Sequence, residues 1–350
     1  MQVSGFVPSD RIRFLSAEIF KVHWVLKYIK RQVVFWLSLQ FLVERSTQRC
    51  LENSTRVLWV NLAAPSLGDS LMDLAGRVGL DGRSVDLLTS RQNISLYQSD
   101  AFFHRVTSSV SEARSWNREA RYDVIILDSY APRVLMKKLL VSWMTPIASI
   151  YGFINGFEIH RTYYSFRRLE YLFGVTGDYR LKPTMTLPAS LRSPHKQFGA
   201  ICFAIGGEWG FRTYRYWIDV IRPFVDKYPI VLVGSENGNA LASDILREYP
   251  QVYSYVGKIS LLETASVIAR TRLFVGADGG LWHVACSLDV PSIVLFADCA
   301  LFDEFGQRVD RSTGDTHSSS LYDETAVSNI SVARIQALMN QQLSRSVVSK

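Results

Sequence analysis

Four short stretches place acids, arginines and glycines where an anionic ligand and a mobile proton could be handled. In "VGADGGLWH" (275–283), Asp278 closes a buried apolar run, and Gly279 and Gly280 leave room for a ligand against their amides. His283 lies one helical turn beyond Gly279, so it can look toward the same place and hydrogen-bond a phosphate. In "IGGEWGFRTYRYW" (205–217), Gly206 and Gly207 follow a strand, and the expected helix after them points its positive end at an anion. Arg212 and Arg215 can then meet a diphosphate with charge-assisted hydrogen bonds. "VGSENGN" (233–239) puts Glu236 at a strand's carboxyl end, where it can accept from a ribose or a base. "APSLGDSLMDL" (64–74) sets Asp69 at a strand-to-helix junction, pointing into a cleft. Taken singly, each also reads as an ordinary turn, a helix cap or a solvated charge. There is no HExxH and no acidic pair at ligand spacing, so no catalytic metal is expected.

These residues need strands to carry them. Short apolar runs at 56–62, 84–89, 122–128 and 149–155 end in polar residues and alternate with helical stretches, the rhythm of a doubly wound α/β sheet. A second series runs through 198–207, 229–236, 252–257, 273–278 and 291–297. Helices are expected at 70–78, around 214–228, near 238–249, over 260–272, from about 280 to 288 and over 331–343. Ser260 and Glu263 stand at capping-box spacing. Between the series, 157–197 is aromatic, basic and proline-bearing, the best interdomain candidate. The expected divisions are an N-terminal helical extension (1–55), a first α/β domain (56–185), a second (186–330) and a closing helix (331–350). Ligands of open α/β sheets bind outside the carboxyl ends of the strands, here in a cleft between facing sheet ends.

A chain of 350 residues with 48% apolar and 20% charged side chains is globular and large enough for two domains. Its net charge of +7 favours anionic partners, but no basic-aromatic module for nucleic acid is present. Cys50, Cys202, Cys286 and Cys299 form no CxxC pair, which fits free thiols in a reducing compartment. The apolar run at 33–43 spans 11 positions, too few to cross a bilayer. Residues 10–50 read as helical and carry Lys21, Lys27, Lys30, Arg31 and Arg45 among aromatics. That segment suits an anionic membrane surface and suits equally well its own domain or a second copy of the chain.

Residues 257–298 resemble the donor-binding region of glycosyltransferase family 9, the lipopolysaccharide heptosyltransferases. Gly257, Lys258, Asp278, Gly280, His283, Ala285 and Pro291 match that family's pattern in order, and "SLGDSL" at 66–71 is similar to its early Leu-Gly-Asp motif. The resemblance implies a GT-B architecture, two Rossmann-like domains with the donor bound mainly by the second. It implies inverting, metal-independent transfer from a nucleotide-activated sugar, often ADP-heptose, in the cytoplasm, with no cofactor beyond the donor. Carried over by position, Asp69 is the general base, while Lys258, Asp278, Gly279, Gly280 and His283 hold the donor. Arg212 or Arg215 replaces a phosphate-facing lysine. The sequence departs from the pattern at Gly279, where Ser or Thr is usual, at "GGEWG" in place of a His-Pro-Gly-like turn, at Leu288-Asp289 and at Asp298. Two alternatives stay open: a GT-B transferase using another nucleotide sugar for capsule, O-antigen or protein, and an idle member serving as a binding subunit of a glycan-assembly complex.

Overall fold

Runs of Val, Ile and Leu buried on both faces form parallel strands, because such strands leave no side for water. In the computed structural model they build two sheets. The residues described are 51, 53–62, 66–151, 161–175, 182–191, 199–297 and 318–348, with isolated positions 26, 29, 30 and 33. The helical extension expected over 1–55, the segment carrying Lys21, Lys27, Arg31 and Arg45, and Cys50, Asp298 and Cys299 fall wholly or mostly outside them.

The chain divides into two compact units, with described residues up to Pro183 in the first and those from Thr184 in the second. The first holds β1 (Arg56–Asn61), α1 (Leu67–Asp73), β2 (Ser84–Thr89), α2 (Ile94–Gln98) and β3 (Arg105–Thr107). It continues with α3 (Val110–Glu119), β4 (Val124–Leu127), α4 (Pro132–Val141), β5 (Ile147–Ser149) and α5 (Arg161–Phe173). Its strands order as β3-β2-β1-β4-β5, every pair parallel. The second unit runs β6 (Ile201–Ala204), α6 (Trp217–Ile221), β7 (Ile230–Val233), α7 (Asn239–Glu248) and β8 (Tyr253–Ser254). Then come α8 (Leu261–Ile268), β9 (Leu273–Ala277), α9 (Gly280–Ser287), β10 (Ser292–Ala297), β11 (Ser318–Asp323) and α10 (Val332–Val348). Its order is β11-β10-β9-β6-β7-β8, again all parallel.

Both orders reverse once, at β1/β4 and at β6/β9, as in doubly wound folds. The expected capping box is present, with Ser260 receiving the Glu263 amide and Glu263 reaching back to the Ser260 amide at 2.8 Å. Cys202 and Cys286 are buried free thiols. No helix among the described residues is long and apolar enough to cross a membrane.

Three expectations change. The helix around 214–228 shrinks to α6, because Pro223 follows its end and cannot continue the hydrogen-bond ladder. The strand expected at 149–155 lies earlier, as β5. Within the stretch read as interdomain, α5 instead packs inside the first unit, burying Tyr164, Phe166, Leu169, Leu172 and Phe173. Gly76 makes that packing possible: a Cβ there would stand 2.7 Å from the Ser165 carbonyl oxygen and 2.8 Å from Leu169 Cδ1. Its amide donates to Ser165 Oγ, which in turn donates to the Asp73 carbonyl oxygen at 2.6 Å. Gly76→Ala is expected to destabilise the protein by about 1–3 kcal/mol in denaturant titration, since backbone must move to admit the methyl group; an unchanged midpoint would refute the contact.

Candidate functional site

At the β6/β9 reversal, the connections leave in opposite directions and a crevice opens between them. It holds a pocket of about 220 Å³. Of the residues expected at a donor, Gly206, Gly207, Arg212, Asp278, Gly279 and Gly280 line it. Arg215, Glu236, Lys258 and His283 do not. Arg215, Glu236 and Lys258 are exposed nearby on the loops after β6, β7 and β8, and Lys258 Nζ donates to the Ser254 carbonyl at 3.2 Å. His283 is buried on α9 with its ring against Trp282, 4.6 Å between centroids.

Close backbone packing shapes the floor. Gly206 has φ +83°, and a Cβ there would lie 2.8 Å from the backbone of Gly238. Asn237 Nδ2 donates to the Gly207 carbonyl at 2.9 Å, and Ser235 Oγ donates to Asn237 Oδ1 at 2.7 Å. The loops after β6 and β7 are therefore one surface. The helix expected straight after the glycine pair is absent. A short 3₁₀ turn, Gly210–Arg212, stands there instead, so that loop offers a side chain to an anion, not a helix terminus.

The side chain is Arg212. Its Nη1 pairs with Asp278 Oδ2 at 3.1 Å, and its guanidinium lies 5.6 and 5.5 Å from the ring centres of Trp209 and Phe211. Its buried Nε has no hydrogen-bond partner, a donor left for a ligand. Opposite it, α9 begins with Gly279 as N-cap and no side-chain cap, leaving leading amides unclaimed by a side chain. Gly279 is extended, φ 170°, a conformation open to any residue, and a Cβ there meets nothing nearer than 4.0 Å. Backbone geometry thus does not demand this glycine. An anion can be held between Arg212 and the start of α9.

The first unit carries the other chemistry. Ser66 caps α1 by accepting from the Asp69 amide at 3.2 Å, so the Asp69 carboxylate is not the cap. It instead pairs with Arg161 Nη1 at 2.7 Å and stays about a third exposed. Arg161 also grips the buried Asp73 through Nε at 2.9 Å and Nη2 at 2.7 Å, while Tyr151 OH donates to Asp73 Oδ1 at 2.7 Å. Burial pushes the Asp73 carboxyl up to about 7 against the pull of Arg161, and the two carboxylates hold the Arg161 guanidinium well above its ordinary range. At the β1/β4 reversal Asp128 accepts from the Leu62 amide at 2.7 Å and Asn61 Nδ2 at 3.1 Å, fixing the start of the loop toward α1. Among the described residues no group of three or more His, Cys, Asp or Glu could hold a metal ion.

Sequence reasoning missed Arg161, Trp209 and Asn237. Arg161 stands ninety-odd positions from Asp69 in a stretch without a motif, and only the packing of α5 brings it close. Trp209 and Asn237 sat inside quoted motifs as apparent turn residues.

Residues 186–300 match the family model described as glycosyltransferase family 9 (heptosyltransferase). No curated protein matches the chain. Among solved structures, the glycosyl transferase family 9 protein from Veillonella parvula superposes with TM-score 0.71 at 15% identity, covering 85% of this chain and 100% of that one. The E. coli ADP-heptose lps heptosyltransferase II gives 0.65 at 15% identity over 83% and 99%. E. coli heptosyltransferase WaaC with ADP gives 0.63 at 16% identity over 82% and 99%. At such identities the likeness is one of fold, and that fold is GT-B. The resemblance read from the sequence is borne out, and the family match on this fold makes the chain a glycosyltransferase.

Two outcomes follow from the geometry. Arg161→Met is expected to cost about 3–5 kcal/mol by chemical denaturation, since it strands the buried Asp73 charge, and adding Asp73→Leu should return most of the loss; a single variant as stable as the parent would contradict the pairing. Gly279→Ser should melt within a degree or so of the parent, because its Cβ enters open space; a large drop would mean the glycine is structural.

Proposed function

We propose that the chain transfers a sugar from a nucleoside-diphosphate donor, a heptose of the ADP-linked kind, onto a hydroxyl of a glycan or lipopolysaccharide acceptor, by an inverting, metal-independent route. Residues 186–330 serve as the donor domain and 56–185 as the acceptor domain, at the cytoplasmic face of the membrane. The observation that supports this best is the meeting of Arg212 with the Asp278–Gly279–Gly280 turn around one crevice.

In this reading Asp69 takes the acceptor hydroxyl proton, the acceptor oxygen attacks the anomeric carbon, and the bond from that carbon to the diphosphate oxygen breaks. The departing diphosphate gains negative charge, which Arg212 and the leading amides of α9 compensate where it develops. Gly206 and Gly207 let the diphosphate approach the backbone. Asp278 aims Arg212 through their ion pair. Arg161 fixes Asp69 through its ion pair, and an acceptor hydroxyl would meet the part of that carboxylate left open to solvent. Arg215, Glu236 and Lys258 reach toward the nucleoside from outside the pocket lining, and His283 supports the α9 turn from beneath.

Asp69→Asn is expected to lower transfer by about 10²–10⁴-fold while leaving the thermal stabilisation by ADP intact. Arg212→Ala should abolish that stabilisation. Transfer within a few-fold of the parent would remove Asp69 as the base, and stronger stabilisation by UDP or GDP than by ADP would redirect the donor assignment.

A further inference from the structure

The outer face of α4 has no role in the reading above. The helix buries Val134, Leu135, Lys138 and Val141. Its opposite side carries Met136 and Leu140, 58% and 49% exposed, and the loop beyond adds Trp143 and Met144 at 60% and 76%. Met136 and Leu140 stand four apart on one helix face with Lys137 exposed beside them, and after the helix ends at Val141 the loop adds Trp143 and Met144 beside Leu140. On the neighbouring ridge Arg114 and Arg118 of α3, then Arg121, are exposed and none has a carboxylate partner among the described residues. These arginines and the residues Leu140, Trp143 and Met144 line an open groove of about 890 Å³.

The exposed tip is held in place. Lys138 Nζ donates to the Trp143 carbonyl at 2.9 Å, and burial pushes its pKa down to about 8. The Thr145 amide and hydroxyl both donate to Ser142 Oγ, at 3.2 and 2.7 Å. A desolvated lysine thus fixes the loop that displays a tryptophan and a methionine to water. Unbalanced guanidinium groups interleaved with large apolar side chains match the headgroup layer of a bilayer, where phosphates lie beside acyl chains.

We propose that α4, the 142–146 loop and the arginines of α3 form a docking face for an anionic lipid bilayer. This site shares no residue with the donor pocket, and it does not depend on the transfer reaction.

The test is co-sedimentation of the full chain with vesicles of phosphatidylcholine, alone or mixed with phosphatidylglycerol. Binding is expected only to the mixed vesicles, weakening as salt is raised. The triple change Arg114→Gln, Arg118→Gln, Arg121→Gln, and separately Trp143→Ser with Met144→Ser, should each weaken partitioning by at least about tenfold without lowering the melting temperature. The altered side chains are exposed, so folding provides the control. Unchanged partitioning of both variants, or no binding to the mixed vesicles, would overturn the proposal. So would variants that lose only self-association by light scattering, which would make the face an interface between copies of the chain.

Discussion

Parallel pairing with one reversal of strand order governs both units. When the connection after β6 leaves to one face of the sheet and that after β9 to the other, the ends of two neighbouring strands cannot be covered by the same loop. Polar groups placed there stay accessible, while the strands beneath remain dry and fixed. β6 pairs with β9 from Ile201↔Leu273 to Ala204↔Gly276, so the glycine pair at 206–207 and Asp278 emerge on adjacent strands at almost the same height. The β1/β4 reversal does the same in the first unit, where Asp128 on one strand ties the loop leaving the other. Arg212, Asp278 and the paired glycines depend on that arrangement of strand ends, whereas Arg161 reaches Asp69 through the packing of α5.

Arginine is the second recurring device, and its two uses differ. Arg161 lies between Asp69 and Asp73 and is nearly neutralised by them, so its value is geometric: it holds a carboxylate at a chosen angle. Arg212 has one carboxylate, Asp278, and a buried Nε that nothing fills, so it keeps capacity for a second anion. A planar guanidinium presents several donors in a fixed fork, which a lysine in either place could not reproduce.

The central strands were legible because they are short apolar runs closed by polar residues, and β2 falls where the sequence places it, at 84–89. Two edge strands were not, although the edge strand β8 falls inside the run expected at 252–257. β3 is "RVT" and β11 is "SSSLYD", too short or too polar to stand out, since an edge strand buries less and pairs on one side only. Asp278, Arg212 and the paired glycines could be found because function packed them into contiguous motifs. Arg161 could not, because its relation to Asp69 exists only through the contact of α5 with Gly76. Pro223 was visible throughout, yet the aromatic spacing around it still suggested a longer helix than the ring of that residue permits.

The glycine-on-glycine seam between the loops after β6 and β7 has a thermodynamic consequence. Gly206 and Gly238 touch through backbone alone, and Asn237 stitches the same two loops. The side chains at the seam, Asn237 and Ser235, are already tied to the Gly207 carbonyl and to each other, and neither loop can shift without the other. A pocket whose floor is set by main chain keeps its shape when empty, so a bound molecule spends little of its interaction energy on ordering the protein. Selectivity at that floor is then a matter of size and hydrogen-bond match against a rigid template, and changes of one atom in the ligand should be felt in full.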